Sequence, residues 1–231
     1  MNNHALLFDL DGTFYDRDQA LLSWVETFVH AHLPVQQPPS FQEVVEKIIS
    51  LHSYGYGRRA REGFFTKIKA IIPSLPYNVD ELAELFYRQF PAHMLLDEGT
   101  RQFVQALEHS KIPFGIISNG SHRQIPKIEA LDLHRLTTCI FISDLFGCQK
   151  PEPEIFLAAA ACLKTPAEKI LFVGDDPYLD IYGAHRVGMR TAWLQRGQPW
   201  PSTLAELSAD MTIHSLGELY PILSQTLEGR S

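Results

Sequence analysis

An α/β fold, with a parallel sheet interrupted by an all-helical insertion, is predicted by three observations. Short unbroken apolar runs end in polar residues; helical patterns lie between those runs; and one long stretch after the first run contains helical patterns only. The runs are Ala5-Leu6-Leu7-Phe8 ending in Asp9, Phe114 to Ile117 leading into Ser118-Asn119-Gly120, Cys139 to Ile142 leading into Ser143-Asp144, and Ile170 to Val173 leading into Gly174-Asp175. Thr191 to Leu194 is a further strand candidate. Runs that are apolar at every position read as strands buried on both faces, with polar residues emerging at their carboxyl ends. Between them, Phe103, Val104 and Leu107, then Ile155, Phe156 and Ala159, then Ile181 and Ala184 recur at helical spacing. Strand and helix in alternation favour a parallel sheet covered on both sides.

From Asp18 to about Pro91 the alternation stops. Leu21, Leu22, Val25, Phe28 and Val29 form one amphipathic stripe, and Val44, Val45, Ile48 and Leu51 form a second, opened by a Ser40/Glu43 capping box. Phe64, Phe65, Ile68 and Ile71 supply a third, ended by Pro73 and Pro76, and Leu82, Leu85, Phe86 and Phe90 a fourth. Residues 17–94 are therefore expected to be a helical domain inserted into a core made of residues 1–16 and 95–231.

Bulk properties narrow the function. At 231 residues and 45% apolar content the chain can bury a substantial core. A net charge of −7 argues against general nucleic-acid binding, so an anionic small molecule would need a local positive site. Cys139, Cys148 and Cys162 are odd in number and form no CxxC pair, which suggests neither a disulfide framework nor a thiolate zinc site. No apolar run approaches membrane-spanning length, and the chain enters its first strand without a leader-like segment. A soluble, cytoplasmic protein is expected, with no nucleic-acid or membrane partner and either a monomer or a homodimer.

The most informative stretch is Asp9-Leu10-Asp11-Gly12-Thr13, directly after the first strand. Strand geometry directs Asp9 and Asp11 to one side, and a turn opened by Gly12 leaves both carboxylates near the sheet's carboxyl edge. Alone, such a turn is a common surface feature. It gains meaning from Ser118-Asn119-Gly120, Lys150-Pro151, and Gly174-Asp175 with Asp180, each placed after or near a strand candidate.

Those four ordered motifs resemble the haloacid dehalogenase superfamily, in the branch whose helical cap follows the first motif and which includes phosphoglycolate phosphatases and nucleotidases. The resemblance covers nearly the whole chain. It implies a Rossmann-like three-layer core in which the strands bearing Asp9, Ser118 and Asp175 are neighbours. It also implies a magnesium-dependent phosphatase acting on a small phosphorylated metabolite. In that reading Asp9 is the nucleophile that forms an aspartyl phosphate, and Asp11 protonates the leaving oxygen and later accepts a proton from water. Magnesium, a hard cation that prefers oxygen, would be held by the Asp9 carboxylate, the Asp11 backbone carbonyl and Asp175. Asp180 would orient metal-bound water or pair with Lys150, and Asp176 would start a helix or stand behind the metal ligands. Ser118, Asn119, Gly120 and Lys150 would bind phosphate.

Electrostatics gives these parts a common reason. Clustered aspartates repel one another and an incoming phosphate, at about 4 kcal/mol per unit-charge pair 4 Å apart for an effective dielectric of 20. Magnesium and Lys150 would reverse that repulsion.

Within the helical insertion, Tyr54, Tyr56, Arg58, Arg59 and Arg61 surround a glycine-containing break. Tyr56, Arg58 and Arg59 are candidate specificity residues, because aromatics contact apolar groups and arginine binds anions. A solvated basic loop explains the same residues. His30 and His32 fall on different helix faces and do not read as a metal pair. Among rival activities, a dehalogenase of the same superfamily is disfavoured by Asp11. A phosphomutase would use the same residues, and a phosphonate-cleaving enzyme would need a cap lysine that no motif selects among Lys47, Lys67 and Lys69. A non-catalytic binding protein would have no physical need for Asp9, Asp11, Lys150 and Asp175 together.

Overall fold

A computed structural model describes residues 4–33, 40–52 and 58–223, apart from the side chains of 52–62. The chain divides into two compact units, Met1–Asp16 with Leu96–Ser231, and Arg17–Leu95.

The first unit is built on a six-stranded sheet whose strands are all parallel: β1 (Ala5–Phe8), β2 (Phe114–Ser118), β3 (Ile140–Ile142), β4 (Ile170–Gly174), β5 (Arg190–Leu194) and β6 (Met211–Ile213). Their spatial order is β3-β2-β1-β4-β5-β6. The chain thus builds outward from β1 on one side, then restarts at β4 on the other. Because parallel crossovers are right-handed, this reversal sends the helices of the two halves to opposite faces and leaves a crevice between the carboxyl ends of β1 and β4. The fold is a Rossmann-like α/β architecture.

All four residues of β1 are buried, which is why its sequence is apolar without alternation. Leu7 packs on one face with Ile117, Phe156, Ala159 and Phe172. Phe8 meets Phe14 and Phe103, with ring centroids 5.2 and 5.9 Å apart. Neighbouring residues of one strand thus anchor two separate layers. β1 lies in register with β2 through Phe8 and Ile116, and with β4 through Phe8 and Val173. The Asp9 N–H extends the ladder by one step, donating to the Val173 carbonyl at 2.9 Å. That bond fixes the backbone from which the Asp9 side chain departs.

The second unit contains the four helices expected from periodicity, α1 (Arg17–His32), α2 (Phe41–His52), α3 (Arg58–Ile71) and α4 (Val79–Gln89). Ser40 and Glu43 form the reciprocal cap at the start of α2, at 2.8 and 3.4 Å. Trp24 organises the interior: it stacks on Phe28, meets Phe86 edge-on, and donates its indole N–H to Gln89 at 3.1 Å. Ile72, beyond the end of α3, is the buried member of its pair, and Ile71 is only partly covered. His30 lies against Phe41 and His32 against Tyr77. The candidate specificity residues are outside what is described: Tyr54 and Tyr56 wholly, and Arg58, Arg59 and Arg61 in their side chains.

Back in the first unit, the helices are α5 (Glu98–Ser110), α6 (Ile125–Ala130), α7 (Ser143–Phe146), α8 (Pro153–Cys162) and α9 (Gly183–Arg186). Two features depart from expectation. β6 went unrecognised, because three residues with an exposed Thr212 at the centre carry little pattern. The cysteines also pair: Cys139 and Cys162 form a disulfide with Cα atoms 6.0 Å apart. Its cause is tertiary, since α8 packs on β2 and β3 and brings its last residue beside the start of β3. Residue spacing along the chain holds no trace of that contact, and the expectation that the cysteines form no disulfide framework is corrected by this one bond. Cys148 remains a free thiol, pushed up to about 11 by burial and by Glu152 and Glu154, which makes it a poor nucleophile.

Because Leu7 is fully buried at the centre of the sheet, Leu7→Ala should cost about 3 kcal/mol, read by urea unfolding. A cost below about 1 kcal/mol would mean that this face of β1 does not carry the core.

Candidate active site

The carboxyl ends of β1, β2 and β4 deliver Asp9, Ser118 and Asp175 to the crevice side of the sheet. Asp9 is buried. Its Oδ1 accepts from Lys150 Nζ at 2.5 Å, and its Oδ2 accepts from Thr13 Oγ1 at 3.2 Å. Lys150 Nζ also donates to Asp180 Oδ1 at 2.6 Å. Oxygens of Asp9, Asp175 and Asp180 all lie within 4.8 Å of one another.

Two glycines make this crowding possible. A β-carbon on Gly12, whose φ is +84°, would fall 2.2 Å from Asp175 Oδ2, and one on Gly174 would fall 2.2 Å from Asp180 Oδ2. Both carboxylates occupy space that any other residue would fill. Asp180 reaches the cluster from a π-helical turn, Pro177–Tyr182, in which the Ile181 N–H reaches back five residues to the Asp176 carbonyl at 3.3 Å. Asp176 itself caps this turn: its Oδ1 accepts from the Tyr178 and Leu179 N–H groups, both at 2.8 Å. Its backbone N–H donates to Asp180 Oδ2 at 3.0 Å. The Asp175 carbonyl is held by the Trp193 indole at 3.0 Å.

Lys150 is fixed through its backbone. Asn119 accepts from the Lys150 N–H at 2.8 Å and donates to the Lys150 carbonyl at 2.9 Å. The Asn119 side chain is thus the link between β2 and the lysine loop. The Gly120 N–H donates to Ser143 Oγ at 2.9 Å.

The Asp11 side chain has different company. Its Oδ1 accepts from Lys127 Nζ at 2.5 Å and from the Tyr15 hydroxyl, and its Oδ2 accepts from Gln124 Nε2 at 2.6 Å. The same Gln124 nitrogen lies 2.5 Å from Ser118 Oγ. Arg196 closes the turn, donating to the carbonyls of Gly12 and Thr13 at 2.9 and 3.3 Å. Gln124, Lys127 and Arg196 have no part in the sequence reading, and Ser143 enters it only as the end of a strand. Gln124 and Lys127 carried one usable signal, since a spacing of three places an amide and a cation on one helical face just after Ser118-Asn119-Gly120. Nothing local marks Arg196.

Residues 6–194 match the sequence profile described as Haloacid dehalogenase-like hydrolase. The chain belongs to that family. Glyceraldehyde 3-phosphate phosphatase of Pyrococcus abyssi is 30% identical to this hydrolase over 202 residues, covering 84% of this chain and 82% of the relative. Among solved structures, a phosphatase of the family from Thermococcus onnurineus is 26% identical, with a TM-score of 0.66 over 95% of this chain and 97% of the other. The fold is shared with the family hydrolase YfnB of Bacillus subtilis, solved bound to magnesium, at 22% identity and a TM-score of 0.72 over 95% and 98% of the two chains.

Charge in the hydrolase's buried cluster is out of balance, with three carboxylates around one ammonium. Burial raises the proton affinity of Asp175 well above its ordinary value, and Asp9 and Asp180 add to the shift. Burial likewise raises Asp9, against the pull of Lys150, and pushes Asp180 up to about 7. Burial alone would lower Lys150, but Asp180 and Asp9 outweigh it and hold the lysine above its ordinary value. The lysine therefore stays charged, while the acids together lack a counter-charge. An oxygen-preferring divalent cation fits that donor set and that deficit.

An acid raised on folding costs stability as pH climbs from its unfolded value, near 4, to its folded value. In chelator, the melting temperature should fall between pH 5 and 8, and millimolar magnesium should flatten the decline. A metal-free melting temperature that rises across this range would contradict the assignment of raised proton affinities.

Proposed function

We propose that this hydrolase is a magnesium-dependent phosphatase, releasing inorganic phosphate from a small phosphomonoester through an aspartyl phosphate on Asp9. One observation carries the reading. Two carboxylates two residues apart have unlike surroundings: Asp9 lies with Asp175, Asp180 and Lys150, and Asp11 lies with Lys127, Tyr15 and Gln124. A cation among Asp9, Asp175 and Asp180 would hold Asp9 ionised for attack, while Asp11 keeps separate partners for acid/base work.

In the first step an Asp9 oxygen attacks phosphorus, the bond from phosphorus to the ester oxygen breaks, and Asp11 gives that oxygen a proton. In the second, Asp11 takes a proton from water as the water oxygen attacks phosphorus; the acyl-phosphate bond breaks and returns the Asp9 carboxylate. Lys150 balances charge on Asp9 and Asp180, and the Ser118 hydroxyl binds a phosphate oxygen. Asp9 and Asp175, with the Asp11 backbone carbonyl, would hold magnesium, and Asp180 borders the same cluster. When bound, magnesium supplies positive charge to the transferring oxygens. The magnesium-bound state of YfnB and the phosphatase relatives support this choice.

Glyceraldehyde 3-phosphate, the compound named for the Pyrococcus relative, exemplifies the proposed substrate class of small phosphorylated metabolites in the cytoplasm. The helical unit, acting as a cap, would select the alcohol portion, with Tyr56, Arg58 and Arg59 as candidate determinants.

A panel of metabolite phosphates with magnesium tests the reading. Phosphate release should stop in chelator, and Asp9→Asn should lower kcat by about 10³-fold or more. Wild-type turnover in Asp9→Asn would rule out the covalent route. Replacing Arg58 or Arg59 by alanine should raise KM selectively for some substrates; unchanged KM across the panel would remove both from recognition.

A further inference from the structure

Gln124 contacts both Asp11 and Ser118, two groups that phosphoryl transfer needs in fixed relation, and it belongs to none of the four motifs. The residue is 3% exposed. A carboxylate only accepts hydrogen bonds, so the amide nitrogen of Gln124 must face Asp11, and its two N–H groups divide between Asp11 Oδ2 and Ser118 Oγ. The consequence for Ser118 is directional. Its oxygen already accepts from Gln124, so its own hydrogen must leave along another direction and is available to an acceptor there.

The surrounding chain is arranged for this contact. The Gln124 N–H donates to the Ser121 carbonyl at 3.0 Å, closing the turn that leads from Ser118 toward α6. Gly120 leaves room: a β-carbon there would press to 3.0 Å from Gln124 Cγ. One turn later Lys127 binds the other oxygen of Asp11. The carboxylate is thus held from both sides by residues of one short segment.

We propose that Gln124 is a positioning residue whose single amide sets both the hydroxyl direction of Ser118 and the orientation of the Asp11 carboxyl. Contact with the phosphate oxygen and protonation of the leaving group are thereby held in common alignment. The inference rests on the phosphatase reading above and adds a residue to it.

The test compares wild-type protein, Gln124→Met and Gln124→Glu, each full-length with magnesium, by two measurements. Calorimetry gives the affinity for inorganic phosphate, and steady-state kinetics covers aryl phosphates of graded leaving-group acidity, from p-nitrophenyl to phenyl. Loss of the donor to Ser118 should weaken phosphate binding about tenfold. Loss of the donor to Asp11 should lower kcat/KM about tenfold more for phenyl than for p-nitrophenyl phosphate, because the poorer leaving group depends more on protonation. Gln124→Glu keeps the length but presents an acceptor to Asp11, so it should reproduce both effects and replaces the methionine variant if that one fails to fold. A uniform loss across the ester series with wild-type phosphate affinity would overturn the proposal. If the wild type hydrolyses no ester, the phosphatase reading fails. Calorimetry then decides the positioning of Ser118 by itself: weaker binding in the variants upholds it, and equal binding rejects it.

Discussion

The site depends on a shortage of positive charge. Lys150 is buried and bonds to Asp9 and Asp180 at once, yet Asp175 stands in the same cluster. A lone ammonium cannot neutralise three carboxylates, and burial removes the water that would otherwise screen them. Every supporting feature nearby serves to keep this unfavourable grouping in place. Asn119 grips the lysine backbone from β2, Gly12 and Gly174 make room for the carboxylates, and the π-turn brings Asp180 back against the strand end. Repulsion stored in this way favours whatever binds with positive charge.

The sheet explains why residues so distant in sequence meet. β1 lies between β2 and β4, so the ends of those three strands converge wherever the strand order reverses. Asp9 and Asp175 sit on the two sides of that reversal and Ser118 one strand away. Asp11 is placed differently. It lies past the strand end, in a turn closed by Arg196, and takes Gln124 and Lys127 from the segment after β2 and Tyr15 from its own turn.

Legibility in the sequence followed the range of the forces involved. Ala5–Phe8 and Ile170–Gly174 could be recognised because burial on both faces writes an uninterrupted apolar run. The four helices of the insertion were equally plain, since each buries one stripe and shows the opposite face to water. Asp9, Asp175, Asp180 and Lys150 stand in motifs whose resemblance to the haloacid dehalogenase superfamily implied that they meet, and the structure brings them together. Gln124 and Lys127 were missed because their meaning lies in Asp11, more than 110 residues earlier in the chain. The bond between Cys139 and Cys162 was missed for a related reason, as helix packing creates it.

The placement of β1 has a consequence for how the polypeptide is made. Of the six described strands it waits through the longest stretch of chain for its neighbours, because β2 begins at Phe114 and β4 at Ile170. The helical unit, continuous from Arg17 to Leu95, emerges whole long before that. Nascent chains therefore pass through an interval in which a finished helical unit trails an apolar N-terminal strand with neither neighbour yet synthesised. Protection of that strand during translation falls to chaperones or to temporary contacts, and Asp9 at its end gains the partners of its cluster only after the chain has passed Asp180.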